Sequence, residues 1–223
     1  NNEHLRNNAK QALSIRGDTE QKREATRYHR DGLIFEAISW IAAKQATHCK
    51  ALLRDPHVKS TTQGLDGLMI ELDDDQSVII CATVFEDKCS EDPRRMFRDE
   101  IIPAFLQYHS GERASDLLAA AAALLKTSDL CEANIIDAAA RVLDTKFRAY
   151  RGCLAITLNE DSDEYRTRLF NGFEKLEGLS SSQRIGCVLV TGENLRKWFD
   201  EVAMQAITYI DHLGSEEAGC LTR

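Results

Sequence analysis

Two short segments hold the residue types that could do chemistry. Gly64-Leu65-Asp66-Gly67 opens one apolar segment, and Glu86-Asp87-Lys88 closes the next, twenty residues further on. Two carboxylates brought together can hold Mg2+, which prefers hard oxygen ligands and keeps part of its water shell; Mn2+ is the natural substitute. A lysine two residues after the acid projects from the same face of a strand. There it would orient or help deprotonate an attacking water and stabilise charge developing at a phosphate. The set suits metal-assisted cleavage of a phosphodiester.

An acid-x-Lys triplet alone says little, and the chain holds three: Glu20-Gln21-Lys22, Glu86-Asp87-Lys88 and Asp144-Thr145-Lys146. The first and third lie in helical sequence, where residues two apart face different directions. Only Glu86 and Lys88 end a strand-like run that is apolar on both faces, where charges need a physical reason. Other constellations are weaker. Val190-Thr191-Gly192-Glu193-Asn194 joins a strand to a helix but lacks the glycine spacing of a phosphate loop, so a helix cap is favoured. His48-Cys49 with His57 matches no zinc spacing. Arg94, Arg95 and Arg98 follow the acid–lysine strand and are candidates for contact with a nucleic-acid backbone, or equally for a solvated helix face. Leu117–Leu125 is alanine-rich and helix-forming, a surface for tight packing or for a partner.

The elements that must position Asp66, Glu86 and Lys88 follow from apolar periodicity. Thr19 to Arg54 reads as a helix with Leu33, Ile34, Ala37, Ile38 and Ile41 at helical spacing, stopped by Asp55-Pro56. A short extended piece is expected at Val58–Thr62. Gly67–Leu72 and Ser77–Glu86 read as two strands joined by an Asp73–Asp75 turn, the second of them central in its sheet. Asp92-Pro93 starts a helix reaching the region of His109, with a bend at Pro103. Helices are expected near Arg113–Lys126 and Asp129–Tyr150, the latter opened by Asp129 and Glu132 in capping-box spacing. A strand (Cys153–Leu158), a helix (Glu164–Leu176), a strand (Ile185–Val190) and a last helix (Asn194 to about Leu213) complete the chain, implying a parallel strand pair with a crossover. The fold class is α/β, a mixed sheet flanked by helices, with no linker dividing residues 1–223 into two domains.

The strand pair carries a parity condition. For Asp66 and Glu86 to share a metal they must lie on one face, so the numbers of directly paired residues must sum to an even number. Leu72 opposite Gln76, leaving the three-residue loop Asp73–Asp75, satisfies this; a regular loop of two or four residues would place the acids on opposite faces. An odd loop or a bulge is therefore expected.

With these motifs in place, the sequence resembles the PD-(D/E)XK nuclease superfamily over about residues 30–110. The order helix, short strand, Asp-bearing strand, Glu-x-Lys strand and helix follows that family's restriction-endonuclease-like core, here with flanking helices and an inserted helical pair at about 112–150. The family's usual proline before the first acid is absent, since Leu65 precedes Asp66. Glu36, in Arg30-Asp31-Gly32-Leu33-Ile34-Phe35-Glu36, matches the acid many members carry on their first core helix. The Gly-x-x-x-Glu and Gly-Leu-Asp-Gly combination resembles nuclease subunits of bacterial anti-phage systems, including the Hachiman type, which work with a helicase partner. The resemblance implies a Mg2+-dependent enzyme cutting DNA. Asp66 and Glu86 would be metal ligands, joined by the backbone carbonyl of Asp87; Lys88 would serve the water and the transition state, and Glu36 would be an accessory acid. Loss of Lys88 is then expected to lower cleavage with little change in stability, since a partly solvated lysine contributes modestly to folding. The competing expectation is a degenerate nuclease fold kept as an interaction or nucleic-acid-binding module.

Composition limits these readings. The chain of 223 residues is 43% hydrophobic and 29% charged, enough apolar sequence for a sizeable core. Its longest uninterrupted apolar run, Leu117–Leu125, is far shorter than a membrane span requires, so no membrane association is expected. Net charge is −8, yet residues 1–60 carry 11 Lys/Arg against 7 Asp/Glu and the remainder 17 against 29. An acidic body argues against broad unaided coating of nucleic acid and for a local basic patch, a metal or a partner subunit. Seven cysteines without Cys-x-x-Cys spacing, several within apolar runs, point to reduced thiols and a cytoplasmic setting.

Overall fold

The two-sided apolar run around Ile79-Ile80-Cys81-Ala82-Thr83-Val84-Phe85 becomes β3 (Ile79–Lys88), and its burial dictates what surrounds it. The computed structural model describes residues 2–47, 51–56, 65–75, 78–128 and 132–220. Among them, β1 (Ala51–Leu53), β2 (Gly67–Leu72), β3, β4 (Arg148–Ile156) and β5 (Arg184–Val190) form one sheet in the order β1-β2-β3-β4-β5. The first two pairings are antiparallel, whereas β3–β4 and β4–β5 are parallel. β3 is thus central, antiparallel to β2 and parallel to β4, and helices cover both of its faces, as a strand apolar on both faces requires. The fold is mixed α/β.

One face carries the larger core. Ala82 and Val84 pack there with Leu68 and Ile70 of β2 and Tyr150 and Leu154 of β4, under Phe97, Ile101, Phe105 and Tyr108. These last residues belong to a broken helix: α3 (Pro93–Met96), a π turn (Phe97–Ile101) and α4 (Ile102–His109). Asp92 caps its start, accepting from the Arg95 N–H, and Pro93 occupies the first turn. The π turn immediately precedes Pro103, which lacks an N–H and would crowd the preceding turn; the Ile102 N–H instead reaches Phe97 O, five residues back. Helix α5 (Ala114–Leu125) closes this face with Leu117, Ala121, Leu124 and Leu125 buried, so the alanine-rich run is core packing.

The other face is covered by α2 (Glu20–Ala46) and α8 (Leu195–Cys220), through Ile34, Phe35, Leu195 and Phe199 against Cys153 and Ala155. Helix α1 (Asn2–Ala12) joins α8 through Lys10 and Asp211, 2.8 Å apart. Thr19 caps α2 by accepting from the Lys22 N–H. A buried ionic cluster fixes α2 to α8: Asp31, with no exposed surface, lies 2.6 Å from both Arg30 and Arg196, and Arg30 lies 2.6 Å from Asp200.

Several boundaries differ from the sequence reading. The first long helix ends at Ala46 instead of continuing to Arg54; Ala51–Leu53 is a strand, its register held to β2 and its neighbourhood pinned by the Trp40 Nε1–H donating to Arg54 O at 3.0 Å. Val58–Thr62, His48-Cys49, His57 and Asp129 lie outside the described residues. The helix expected through Tyr150 stops as α6 (Glu132–Ala140), followed by 3-10 turns at Arg141–Leu143 and Thr145–Phe147. Arg148–Gly152 belongs to β4, because Arg148 and Arg151 are buried with specific partners and are not a solvated helix face. Arg148 donates to Tyr108 O and Leu143 O. After α7 (Asp163–Leu169) the helix breaks at Gly172, whose φ of +123° suits glycine.

The parity condition is met by a bulge. Pairs from Gly67–Phe85 to Glu71–Cys81 sum to an even number, and the register then shifts so that Leu72 faces Ile79, not Gln76. Asp73 closes the turn, its N–H donating to Val78 O and its Oδ1 accepting from the Val78 N–H, both at 2.9 Å. The bulge absorbs the odd residue of the longer loop.

The Asp31 cluster gives the first test. Removing one member of a buried pair leaves uncompensated charge and costs about 3–5 kcal/mol. Asp31→Ala should therefore lower unfolding free energy by about 3–5 kcal/mol in urea denaturation, whereas Lys22→Ala, at the exposed Asp18 pair, should leave the midpoint unchanged.

Candidate functional site

Asp66 immediately precedes β2, and Glu86, Asp87 and Lys88 end β3. Continuing the Gly67–Phe85 register by one step sets Asp66 opposite Glu86 on the larger-core face. Gly67 makes the approach possible, since a β-carbon there would lie 3.0 Å from the Phe85 ring. Asp66 Oδ2 accepts from Lys88 Nζ at 2.6 Å and from the Asp87 N–H at 3.1 Å. Lys88 Nζ also lies 3.2 Å from Glu86 Oε2. The ammonium thus bridges two carboxylates, of which Glu86 is 4% exposed.

Glu36 reaches the same cluster from α2. Its Oε2 is buried with no hydrogen-bond partner. Burial pushes its carboxyl up to about 7, with Asp66 adding to the shift and Lys88 opposing it. Burial, reinforced by Asp66, likewise raises Glu86, again opposed by Lys88. Lys88 shifts upward because Glu86 and Asp66 together outweigh its own burial. The four side chains therefore form one electrostatic unit at the carboxyl end of the central strand.

Asp87 divides between the two faces. Its N–H serves Asp66, but its carboxylate turns away to the α2 side, 3.2 Å from the Arg151 guanidinium. Arg151 also donates to Ser39 Oγ at 3.0 Å and stacks 4.6 Å from the Phe85 ring centre. Arg151 and Ser39 escaped the sequence reading, since Arg151 fell between the helix read to Tyr150 and the strand read from Cys153; two arginines in a run otherwise suited to a strand are the signal that could have raised them.

The three arginines after β3 are engaged within the chain. Arg94 donates to Leu169 O at 2.9 Å and Asn171 O at 2.6 Å, holding the end of α7. Arg95 pairs with Asp92 at 3.5 Å, and Arg98 forms a two-point pair with Asp99 at 2.6 and 2.7 Å. Asn194 caps α8 through the Lys197 N–H, leaving that strand-to-helix junction an ordinary cap.

Among the described residues no group of three or more His, Cys, Asp or Glu side chains is arranged as a ready-made metal cage. The oxygen donors of Asp66 and Glu86 nevertheless have the chemistry a hard divalent cation selects, and the Glu36 carboxyl, with Oε2 buried and unpartnered, lies within electrostatic reach of Asp66. Among the described residues no helix is long and apolar enough to cross a membrane. Fold and site together define a mixed α/β protein with a buried carboxylate–lysine cluster at the end of its central strand. No family model, curated protein or solved structure matches the chain.

The raised Glu36 pKa has a sign that can be tested. A carboxyl whose folded pKa exceeds its unfolded value stabilises the fold below the unfolded pKa and loses that contribution as pH rises through the folded one. For Glu36 the window runs from about 4.5 to about 7. In EDTA, parent and Glu36→Gln should be similarly stable near the acid end of this window. Above its upper end Glu36→Gln should be the more stable, as read from urea midpoints across pH.

Proposed function

We propose that this chain is a Mg2+-dependent nuclease that hydrolyses DNA phosphodiester bonds, on a restriction-endonuclease-like core, as the effector subunit of a bacterial anti-phage complex with a helicase partner. The observation that carries the reading is Lys88 Nζ, 2.6 Å from Asp66 and 3.2 Å from Glu86 at the end of β3. A cationic donor and two hard-oxygen ligands meet on one face of the sheet, an arrangement suited to metal-assisted phosphodiester hydrolysis. Asp66 and Glu86, with the Asp87 carbonyl, would hold Mg2+. When bound, the ion supplies Lewis acidity and makes water a better nucleophile. Lys88 turns from the carboxylates to a phosphate oxygen and stabilises the charge that grows there. Glu36, with one oxygen unpaired, would accept a proton from the attacking water. Arg95 and Arg98, both more than half exposed, remain available to exchange their aspartate partners for the DNA backbone.

The same ion pairs favour a second reading. Lys88 fills the position of a cation, so a degenerate nuclease fold could keep the triad as a structural salt bridge and serve as an interaction module.

Variants at Lys88 and Glu86 separate the two. Lys88→Ala should lower Mg2+-dependent plasmid cleavage by about two orders of magnitude or more, the scale of losing a preorganised charge stabiliser. The geometry changes the expectation for stability: Lys88 is the counter-ion of two largely buried carboxylates, so its loss should destabilise the metal-free protein at neutral pH and less so in acid. Mg2+ should still bind Lys88→Ala in calorimetric titration, whereas Glu86→Ala should bind it weakly. Cleavage by Lys88→Ala at the parent rate, or by the parent in EDTA, overturns the nuclease reading.

A further inference from the structure

Buried side-chain oxygens without a hydrogen-bond partner are uncommon, because each gives up its hydration for nothing. Among the described residues three occur: Glu36 Oε2, Tyr108 Oη and Asp200 Oδ1. Asp200 Oδ1 has the Arg30 guanidinium at 2.6 Å, which leaves two. Glu36 borders the Asp66–Glu86–Lys88 cluster from the α2 side. Tyr108 approaches from the opposite side of the sheet, on α4, with no exposed surface.

Its placement is firmly held. Arg148 donates to the Tyr108 carbonyl, and the Arg113 guanidinium lies 4.5 Å from the ring centre. Helix α4 is the last part of the broken helix that starts just beyond the end of β3, and it packs on that strand. Side chains on a helix lean toward its amino end, so the phenol leans toward the end of β3 where Glu86 lies. Val84, which shares a strand face with Glu86, belongs to the same core cluster as Tyr108. Burial raises the phenol pKa, Arg113 opposes the shift, and the charges of Glu86, Asp116 and Asp66 add to it, so these carboxylates are within electrostatic reach.

We propose that Tyr108 is a positioning residue for Glu86, its hydroxyl donating to the carboxylate through one enclosed water. A neutral donor suits this task. When Lys88 leaves the carboxylates for a phosphate, Glu86 loses its cationic partner, and a phenol can hold the carboxylate's orientation without neutralising the charge a metal needs. Outer donors of this kind are usual behind metal-binding carboxylates. The consequence for cleavage rests on the nuclease reading; the contact with Glu86 does not.

Tyr108→Phe removes only the hydroxyl, and the test pairs it with Glu86→Gln. If the hydroxyl serves Glu86, Tyr108→Phe lowers the thermal midpoint in the parent background and shifts it less in Glu86→Gln. It also lowers Mg2+ affinity in calorimetric titration and kcat for plasmid cleavage, each by about 10–100-fold, the usual loss for an outer-shell partner, with KM for DNA unchanged. Equal midpoint shifts in both backgrounds, zero included, overturn the assignment, as does parent-like Mg2+ affinity. A parent protein that cuts no DNA, alone or with its partner, refutes the nuclease reading and leaves the midpoint comparison to decide Tyr108.

Discussion

The ammonium of Lys88 between Asp66 and Glu86 is the constraint around which the sheet is organised. An ionised carboxylate at the end of a strand covered on both faces is strongly disfavoured unless an opposite charge meets it. That pairing requires Asp66, immediately before a different strand, to reach the same face as Glu86. Side-chain alternation makes this a matter of parity, and the bulge at Glu71/Leu72 restores the parity that the longer turn would otherwise break. Gly67 then lets β2 lie close against Phe85. A local defect in the hairpin and a missing side chain are what deliver the two acids to one lysine.

The opposite face repeats the arrangement with different partners. Asp87 meets Arg151, which reaches on to Ser39 of α2, while Asp31 on the same helix meets Arg30 and Arg196. These pairs bracket Glu36 along α2 and fix the helix's rotation and its height over the sheet. Replaced by apolar residues of similar volume, buried ion pairs often lose little stability or even gain it. Their effect here is one of geometry: an apolar interface could slide along the sheet, whereas Ser39 and Asp31 must each find an arginine. Glu36 is carried to the cluster by that registration.

Much of this was legible in the sequence, for identifiable reasons. Residues Ile79–Phe85 are apolar at every position but Thr83, which points to a central strand, and the charges that end it had to be explained. Asp92-Pro93 fixed a helix start, and Pro103 marked its irregularity. What the sequence concealed depends on contacts between distant segments. Arg148 looks like the polar face of a helix, and Arg151 like a connecting residue, until Tyr108 O, Leu143 O, Asp87 and Ser39 are found beside them. Tyr108 is an ordinary aromatic on an apolar helix face, and nothing in its neighbours tells where its hydroxyl ends. Arg94 looked available for phosphate because the carbonyls it holds come from a loop more than seventy residues away.

On the proposed function, a cluster that supplies its own counter-ion has to give it up to act. While Lys88 lies between Asp66 and Glu86, its single positive charge offsets part of theirs without any external cation. On that reading, once Lys88 turns to a phosphate, Asp66 and Glu86 are left beside one another in a poorly solvated space with Glu36 in electrostatic reach of Asp66, and like charges at such range repel strongly. Binding of a phosphate by Lys88 and entry of a cation between the acids would then favour one another, since each removes what the other would leave uncompensated. On the proposed function this coupling holds the resting site in its ion-paired form until a phosphodiester arrives, and the neutral Tyr108 hydroxyl is a donor that can serve Glu86 in both forms without tipping that exchange.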